Sequence, residues 1–172
     1  MHNVLVLGSG GREHTLCWKL LQSDLCEEIY VAPGNGGSQQ IAQNVNLDLK
    51  DFPQIATFCT VKEIKYIIVG PEQPLVEGIV DYFEQHHSNI SVLGPSSGAA
   101  QLEGSKDFAK KFMAKYHIPT AAYQSFTAPQ LEDGLKFLEN QTGPYVLKAD
   151  GLAAGKGAVS YTHLTLPTTP YV

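Results

Sequence analysis

Each short apolar run in the first hundred residues gives way to glycine or proline. Val4-Leu5-Val6-Leu7 stops at Gly8, and Ile29-Tyr30-Val31 leads through Ala32 to Pro33. Tyr66-Ile67-Ile68-Val69 stops at Gly70-Pro71, and Ser91-Val92-Leu93 at Gly94-Pro95. Val4–Leu7, an unbroken apolar tetrad, predicts a strand covered on both faces, and the other runs read as further strands. Helical spacing fills the intervals. Leu16, Cys17, Leu20 and Leu21 fall on one face, Pro53 suits the first turn of a helix through Phe58, and Val76, Ile79, Val80 and Phe83 mark another helix. Strand, helix, strand in this rhythm predicts an α/β fold with a parallel sheet and right-handed crossovers. Such sheets bind ligands at the carboxyl ends of their strands, where the strand order reverses. The loops at 8–12, 33–37, 70–73 and 94–97 are therefore expected on one face.

The rest of the chain reads differently. Gly94–Ser105 is rich in Gly, Ser and Ala and predicts a linker with one short helical turn. Ser105 can cap a helix striped by Phe108, Phe112, Met113 and Tyr116, which His117-Ile118-Pro119 stops. Ala121–Phe126 reads as a strand, Leu131, Leu135 and Leu138 as a helix, and Tyr145–Ala149 as a strand entering Gly151-Leu152-Ala153-Ala154-Gly155-Lys156-Gly157. Ala158–Val172 has no Asp, Glu, Lys or Arg and carries four threonines and two prolines. Charge changes sign along the way. Residues 1–103 hold five basic and twelve acidic side chains, and residues 104–172 hold seven lysines and five acids. The switch points to two structural units, the second suited to a polyphosphate.

The net charge of −5 excludes non-specific nucleic-acid binding as a main role. No apolar stretch approaches the roughly 20 residues of a bilayer span. Cys17, Cys26 and Cys59 are odd in number and lack close metal spacing, so they read as reduced thiols of a cytoplasmic protein with no metal site of its own.

Gly8-Ser9-Gly10-Gly11 follows a strand and opens a helix, a placement that lets backbone N–H groups and the helix dipole hold a phosphate. The dinucleotide fingerprint needs a third glycine where Glu13 stands and an acid where Ala32-Pro33 stands, so NAD and FAD are disfavoured. A phosphorylated small molecule fits better, with Arg12 as a forked donor; a plain tight turn with an exposed arginine is the bland alternative. Gly151–Gly157 has glycines and a lysine but not the Walker spacing, and Gly157 stands where that motif has a hydroxyl. It reads as a glycine loop between two strands closing over nucleotide phosphates, or simply as a glycine-rich hairpin. Lys148, on an apolar strand, calls for an anionic partner unless it lies at a solvated edge. Lys106 opposes the dipole at the start of its helix, and Glu72 can accept sugar hydroxyls.

In series, these segments resemble one family. Val4-Leu5-Val6-Leu7-Gly8-Ser9-Gly10-Gly11-Arg12-Glu13-His14 is similar to the opening of the glycinamide ribonucleotide synthetases (phosphoribosylamine–glycine ligases). Val31–Asn35, Val69–Glu72, Gln101–Lys106 and Leu147–Gly157 continue the likeness in order, across residues 1–159. The resemblance implies a Rossmann-like domain over 1–103, the start of an ATP-grasp domain over 104–159, and a tail over 160–172 foreign to the family. It implies ATP-dependent joining of glycine to 5-phosphoribosylamine through glycyl phosphate. Gly8, Gly10, Gly11, Arg12, Asn35 and Glu72 would face phosphoribosylamine. Lys106, Lys148, Gly151, Leu152, Ala153, Ala154, Gly155, Lys156 and Gly157 would hold ATP. Catalytic groups and Mg2+ ligands would lie in a later lobe, and this chain alone would not turn over. Two other readings remain beside it: another acyl-phosphate ATP-grasp ligase or carboxylase, and a non-catalytic sugar-phosphate or nucleotide module.

Overall fold

The computed structural model describes residues 1–153 and, as backbone, 158–161. It divides into two compact units, Met1–Gly104 and Ser105–Val172.

The first unit is a parallel five-stranded sheet. Its strands are β1 (His2–Gly8), β2 (Cys26–Pro33), β3 (Gln43–Asn44), β4 (Ile64–Val69) and β5 (Ser91–Leu93), in the order β3-β2-β1-β4-β5. The order reverses between β1 and β4, so the switch point falls beside the first glycine loop. Alternate residues of β1 feed two cores. Leu5 and Leu7 join Tyr30, Ile55, Ile67, Ile79 and Phe83 on one face, while Val4 and Val6 join Cys17, Ile29 and Val31 on the other. Helix α1 (Gly11–Leu20) covers the second face; α2 (Phe52–Val61) and α4 (Ile79–His86) cover the first. Asp51 caps α2, its side chain accepting the Gln54 N–H at 2.9 Å, and Pro53 lies in the first turn as expected.

Two expectations for this unit need correction. The helix predicted across Val76–Phe83 is two helices, α3 (Glu72–Val76) and α4, separated at Gly78, whose φ of 93° only glycine adopts freely. The predicted linker at 94–105 is largely helix, α5 (Ser97–Gly104). Tertiary contact decides this. The Asp81 carboxylate accepts the Ser97 N–H at 2.7 Å, and Gly104 lies so close to Val76 that an added Cβ would come within 2.8 Å of it.

In the second unit Ser105 caps α6 (Lys106–Lys115), accepting the Phe108 N–H at 3.1 Å, and α7 (Leu131–Glu139) follows. Strands β6 (Tyr145–Lys148) and β7 (Ala158–Tyr161) pair antiparallel across the glycine loop. The strand expected at Ala121–Phe126 is irregular chain. Here β6 and β7 form a two-stranded sheet, and Lys110 Nζ donates to the Ala121 carbonyl at 3.0 Å. Strand-like composition without a ladder partner does not make a strand. The tail expectation for residues 160–172 lies outside the described residues beyond Tyr161.

Candidate functional sites

The carboxyl edge of β1 and β4 gathers the residues singled out in the first unit. Gly8 ends β1 with a φ of 127°, its carbonyl accepts the Gly34 N–H at 3.1 Å, and Gly70 N–H donates to the Leu7 carbonyl at 3.0 Å. Three of the expected loops are thus stitched together at the switch point. Arg12 sits on the first turn of α1 and Glu72 on the first turn of α3, with Arg12 Nη2 3.6 Å from Glu72 Oε1. Gly10 and Gly11 are exposed beside them.

Asn35 belongs to the same cluster in a different capacity. Its Nδ2 donates to the Ser9 carbonyl at 2.8 Å, while its Oδ1 accepts the N–H groups of Gly37 at 2.7 Å and Ser38 at 3.0 Å. Behind it the fully buried Ser38 hydroxyl accepts the Asn35 N–H at 2.8 Å and lies 2.8 Å from Asn44 Oδ1. Asn44 Nδ2 donates to the Asn35 carbonyl at 2.9 Å. The Asn35 amide is therefore committed to fastening one loop to another.

Glu13 is the residue that sequence reasoning passed over, noticing it only as a missing glycine. Its side chain is buried, its Oε2 accepts the Gly10 N–H at 2.6 Å, and its Oε1 accepts from Arg12 Nε at 3.2 Å. The glycines leave room for it. A Cβ on Gly8 would come within 2.7 Å of Glu13 Cδ, and one on Gly70 within 2.6 Å. An acid at the third position of a helix that reaches back to the cap N–H is half a capping box, and that spacing could have flagged it. The hydrogen bond that Arg12 donates to Glu13, with the charges of Glu13 and Glu72, holds the Arg12 guanidinium above its ordinary pKa against its desolvation. The N–H expected to meet a phosphate is already taken by a carboxylate.

In the second unit Lys106 and Gly151 meet: Lys106 Nζ donates to the Gly151 carbonyl at 2.7 Å. Asp150 accepts the Lys106 N–H at 2.7 Å, the Asp107 N–H at 3.3 Å and the Ser105 hydroxyl at 3.0 Å. Burial works to raise the Asp150 carboxyl, but these donors and the Gly151 N–H together bring it below its ordinary value. Lys148 is exposed near the end of β6, two residues before Asp150. Leu152 is exposed and Ala153 half-buried. Ala154, Gly155, Lys156 and Gly157 lie outside the described residues. Among the described residues no three His, Cys, Asp or Glu side chains gather as a metal site, and no helix is long and apolar enough to cross a membrane.

Residues 2–103 match the N domain of phosphoribosylglycinamide synthetase, and residues 104–165 match its ATP-grasp (A) domain. The chain belongs to the phosphoribosylglycinamide synthetase family. It is 50% identical to the phosphoribosylamine–glycine ligase of Escherichia coli K12 over 158 residues, which is 91% of this chain and 36% of that protein. A crystal structure of phosphoribosylamine–glycine ligase from Thermotoga maritima superposes with a TM-score of 0.68 at 34% identity, covering 94% of this chain and 36% of the other. An N5-carboxyaminoimidazole ribonucleotide synthetase solved as an ADP complex also reaches 0.68, covering 95% of this chain and 41% of the other. At 19% identity it is alike in fold. The family fold is thus a parallel-sheet α/β domain followed by the beginning of an ATP-grasp domain, and the chain spans about a third of the length of the curated relatives it matches.

Proposed function

We propose that the chain supplies the acceptor-binding unit, residues 1–103, and the beginning of the ATP-binding unit, residues 104–159, of an enzyme that joins glycine to 5-phosphoribosylamine. The products are glycinamide ribonucleotide, ADP and phosphate. What supports this most is the Arg12–Glu72 pair at the switch point, in a chain 50% identical to a ligase of this name. A carboxylate beside a forked cation offers acceptors to sugar hydroxyls and donors to phosphate or ring oxygens in one small area. The exposed Gly10 and Gly11 let the ligand approach the backbone, Gly8 contributes by making room for Glu13, and Asn35 by holding their loop.

The second unit fits a nucleotide. Lys106 sets its ammonium on the Gly151 carbonyl and the exposed Lys148 ends β6 just before the loop; both would counter triphosphate charge, with Leu152 and Ala153 at the loop's entry. ATP, as substrate with Mg2+, supplies the phosphoryl group that activates the glycine carboxylate, and proximity to the amine then favours acyl transfer. Small metabolites are the partners and the cytoplasm is the compartment, in keeping with three unpaired cysteines.

Calorimetry with ribose 5-phosphate tests the first unit: uptake is expected, with loss of affinity in Arg12→Ala and Glu72→Ala. With the chain extended to the length of its relatives, ADP release should depend on glycine and phosphoribosylamine. Release that depends on bicarbonate instead would overturn the reading.

A further inference from the structure

Two neighbouring residues of α1 differ sharply in environment. The Glu13 side chain is 6% exposed, whereas Arg12 keeps 62% of its side chain in solvent. A ligand at the carboxyl edge can touch Arg12 and Glu72 but has little access to Glu13. Yet Glu13 makes the better bond to Arg12, 3.2 Å to Nε against 3.6 Å from Nη2 to Glu72. An exposed arginine held by nothing samples many rotamers, and a ligand that orders it must offset that lost conformational freedom. Here the Nε edge is fixed before any ligand arrives.

The anchor is itself over-determined. A carboxylate is acceptor-only and has two oxygens; one takes the Gly10 N–H at 2.6 Å and the other takes Arg12 Nε. Gly8, Gly10 and Gly70 wall the side chain so closely that a Cβ on any of them would come within 3.0 Å of it. An amide in its place would turn an N–H2 toward one of two donors. An aspartate would be one methylene short.

We propose that Glu13 is a positioning residue for acceptor recognition: buried among the loop glycines, it acts through Arg12, fixing the Nε edge so that the guanidinium's free donors stand beside Glu72. The inference rests on the acceptor-binding reading above. Its chemistry is a neutral-to-anionic pentose derivative that needs donors and a carboxylate acceptor side by side.

The test uses the 172-residue chain with ribose 5-phosphate as probe. Glu13→Gln should speed exchange of the Arg12 Nε–H, followed by 15N NMR, by about tenfold and weaken the probe about tenfold, near 1.4 kcal/mol. In an Arg12→Ala background the same substitution should change affinity by less than about twofold, because coupled residues are not additive. Arg12→Lys, at an exposed position, should fold as the parent does, keep the charge, lack the Nε–H and lose the same tenfold. Unchanged Nε–H exchange in Glu13→Gln overturns the proposal, as does a full penalty in the Arg12→Ala background. Should Glu13→Gln fail to fold, parental affinity in Arg12→Lys overturns it and a matching loss supports it. If the parent takes up no ribose 5-phosphate, the acceptor-binding reading fails, while the exchange measurement still decides whether Glu13 holds Arg12.

Discussion

Gly70→Ala isolates the wedge on which the first glycine loop depends. Gly70 has no left-handed backbone, so an alanine meets no conformational objection there; the obstacle is Glu13, with Cδ 2.6 Å and Cγ 2.8 Å from the new Cβ. Those atoms belong to a side chain, so the cheapest relief is to swing Glu13 out toward solvent. That gives up its bond from Gly10, and a hydrogen bond to a charged, buried group contributes about 1.5–3 kcal/mol. The Arg12 contact, largely exposed, adds little. A net loss of about 2–3 kcal/mol follows. In the Met1–Gly104 unit this lowers the melting temperature by about 10–20 °C, at roughly 4–8 °C per kcal/mol. Gly11→Ala is the control: nothing lies within 4 Å of its Cβ, and an unstrained Gly-to-Ala change stabilises by up to about 1 kcal/mol. Trp18, the single tryptophan, lies on α1 and reports unfolding of this unit by fluorescence. Equal melting of the two alanine variants would refute the reasoning. So would a Gly70→Ala penalty undiminished in a Glu13→Ala background, where the clash is gone.

Asp150→Asn probes the second unit. Because the folded Asp150 carboxyl lies below its ordinary value, its stabilisation is present above the unfolded pKa of about 3.9 and is lost as pH falls through the folded one. Amide exchange at Lys106 and Asp107 should quicken below about pH 4 in the parent; in the variant that acid step should vanish, and an unchanged step would count against the tie. The thiols give a third check. Burial pushes Cys17 up to about 11 and Cys59 up to about 12, and also raises the half-buried Cys26. Iodoacetamide at pH 8 should label Cys26 first in the folded chain and all three cysteines in guanidinium, as read by mass spectrometry. Labelling of Cys59 as fast as Cys26 without denaturant would show that its core is open.

The sheet was legible because β1, β2 and β4 carry short apolar runs and β1, β2, β4 and β5 each give way to glycine or proline; the runs of β1 and β2 are buried, whereas Tyr66 of β4 and Leu93 of β5 stay exposed. β3 was not, since Gln43 and Asn44 carry no apolar signal; Asn44 is held through hydrogen bonds to Asn35 and Ser38. Composition also misled at α5, where Gly98, Ala99 and Ala100 look like linker but take helix beside α3 and α4. At the candidate sites the glycines, Arg12, Glu72 and the lysines carried recognisable signals. The residues that organise them did not, because Glu13, Ser38 and Asp150 act through hydrogen bonds to backbone within the fold, those of Asp150 spanning more than forty residues of the chain.

The two units solve one local problem in the same way. Each presents a glycine loop beside a helix start whose first N–H groups point outward and whose dipole attracts an anion. In both, the anion is supplied by the protein: Glu13 takes the Gly10 N–H at the start of α1, and Asp150, arriving from beyond β6, takes the N–H groups of Lys106 and Asp107 at the start of α6. A carboxylate so placed leaves a cation next to it usefully held. Arg12 is fixed by Glu13, and Lys106, which the dipole alone would repel, is steadied beside Asp150 with its ammonium on the Gly151 carbonyl. A glycine loop followed by a helix is thus insufficient ground for placing a phosphate on the helix N-terminus. The better guide is whether an acid in or near the loop reaches the first-turn amides, for then recognition of an anionic ligand passes to the neighbouring side-chain cations.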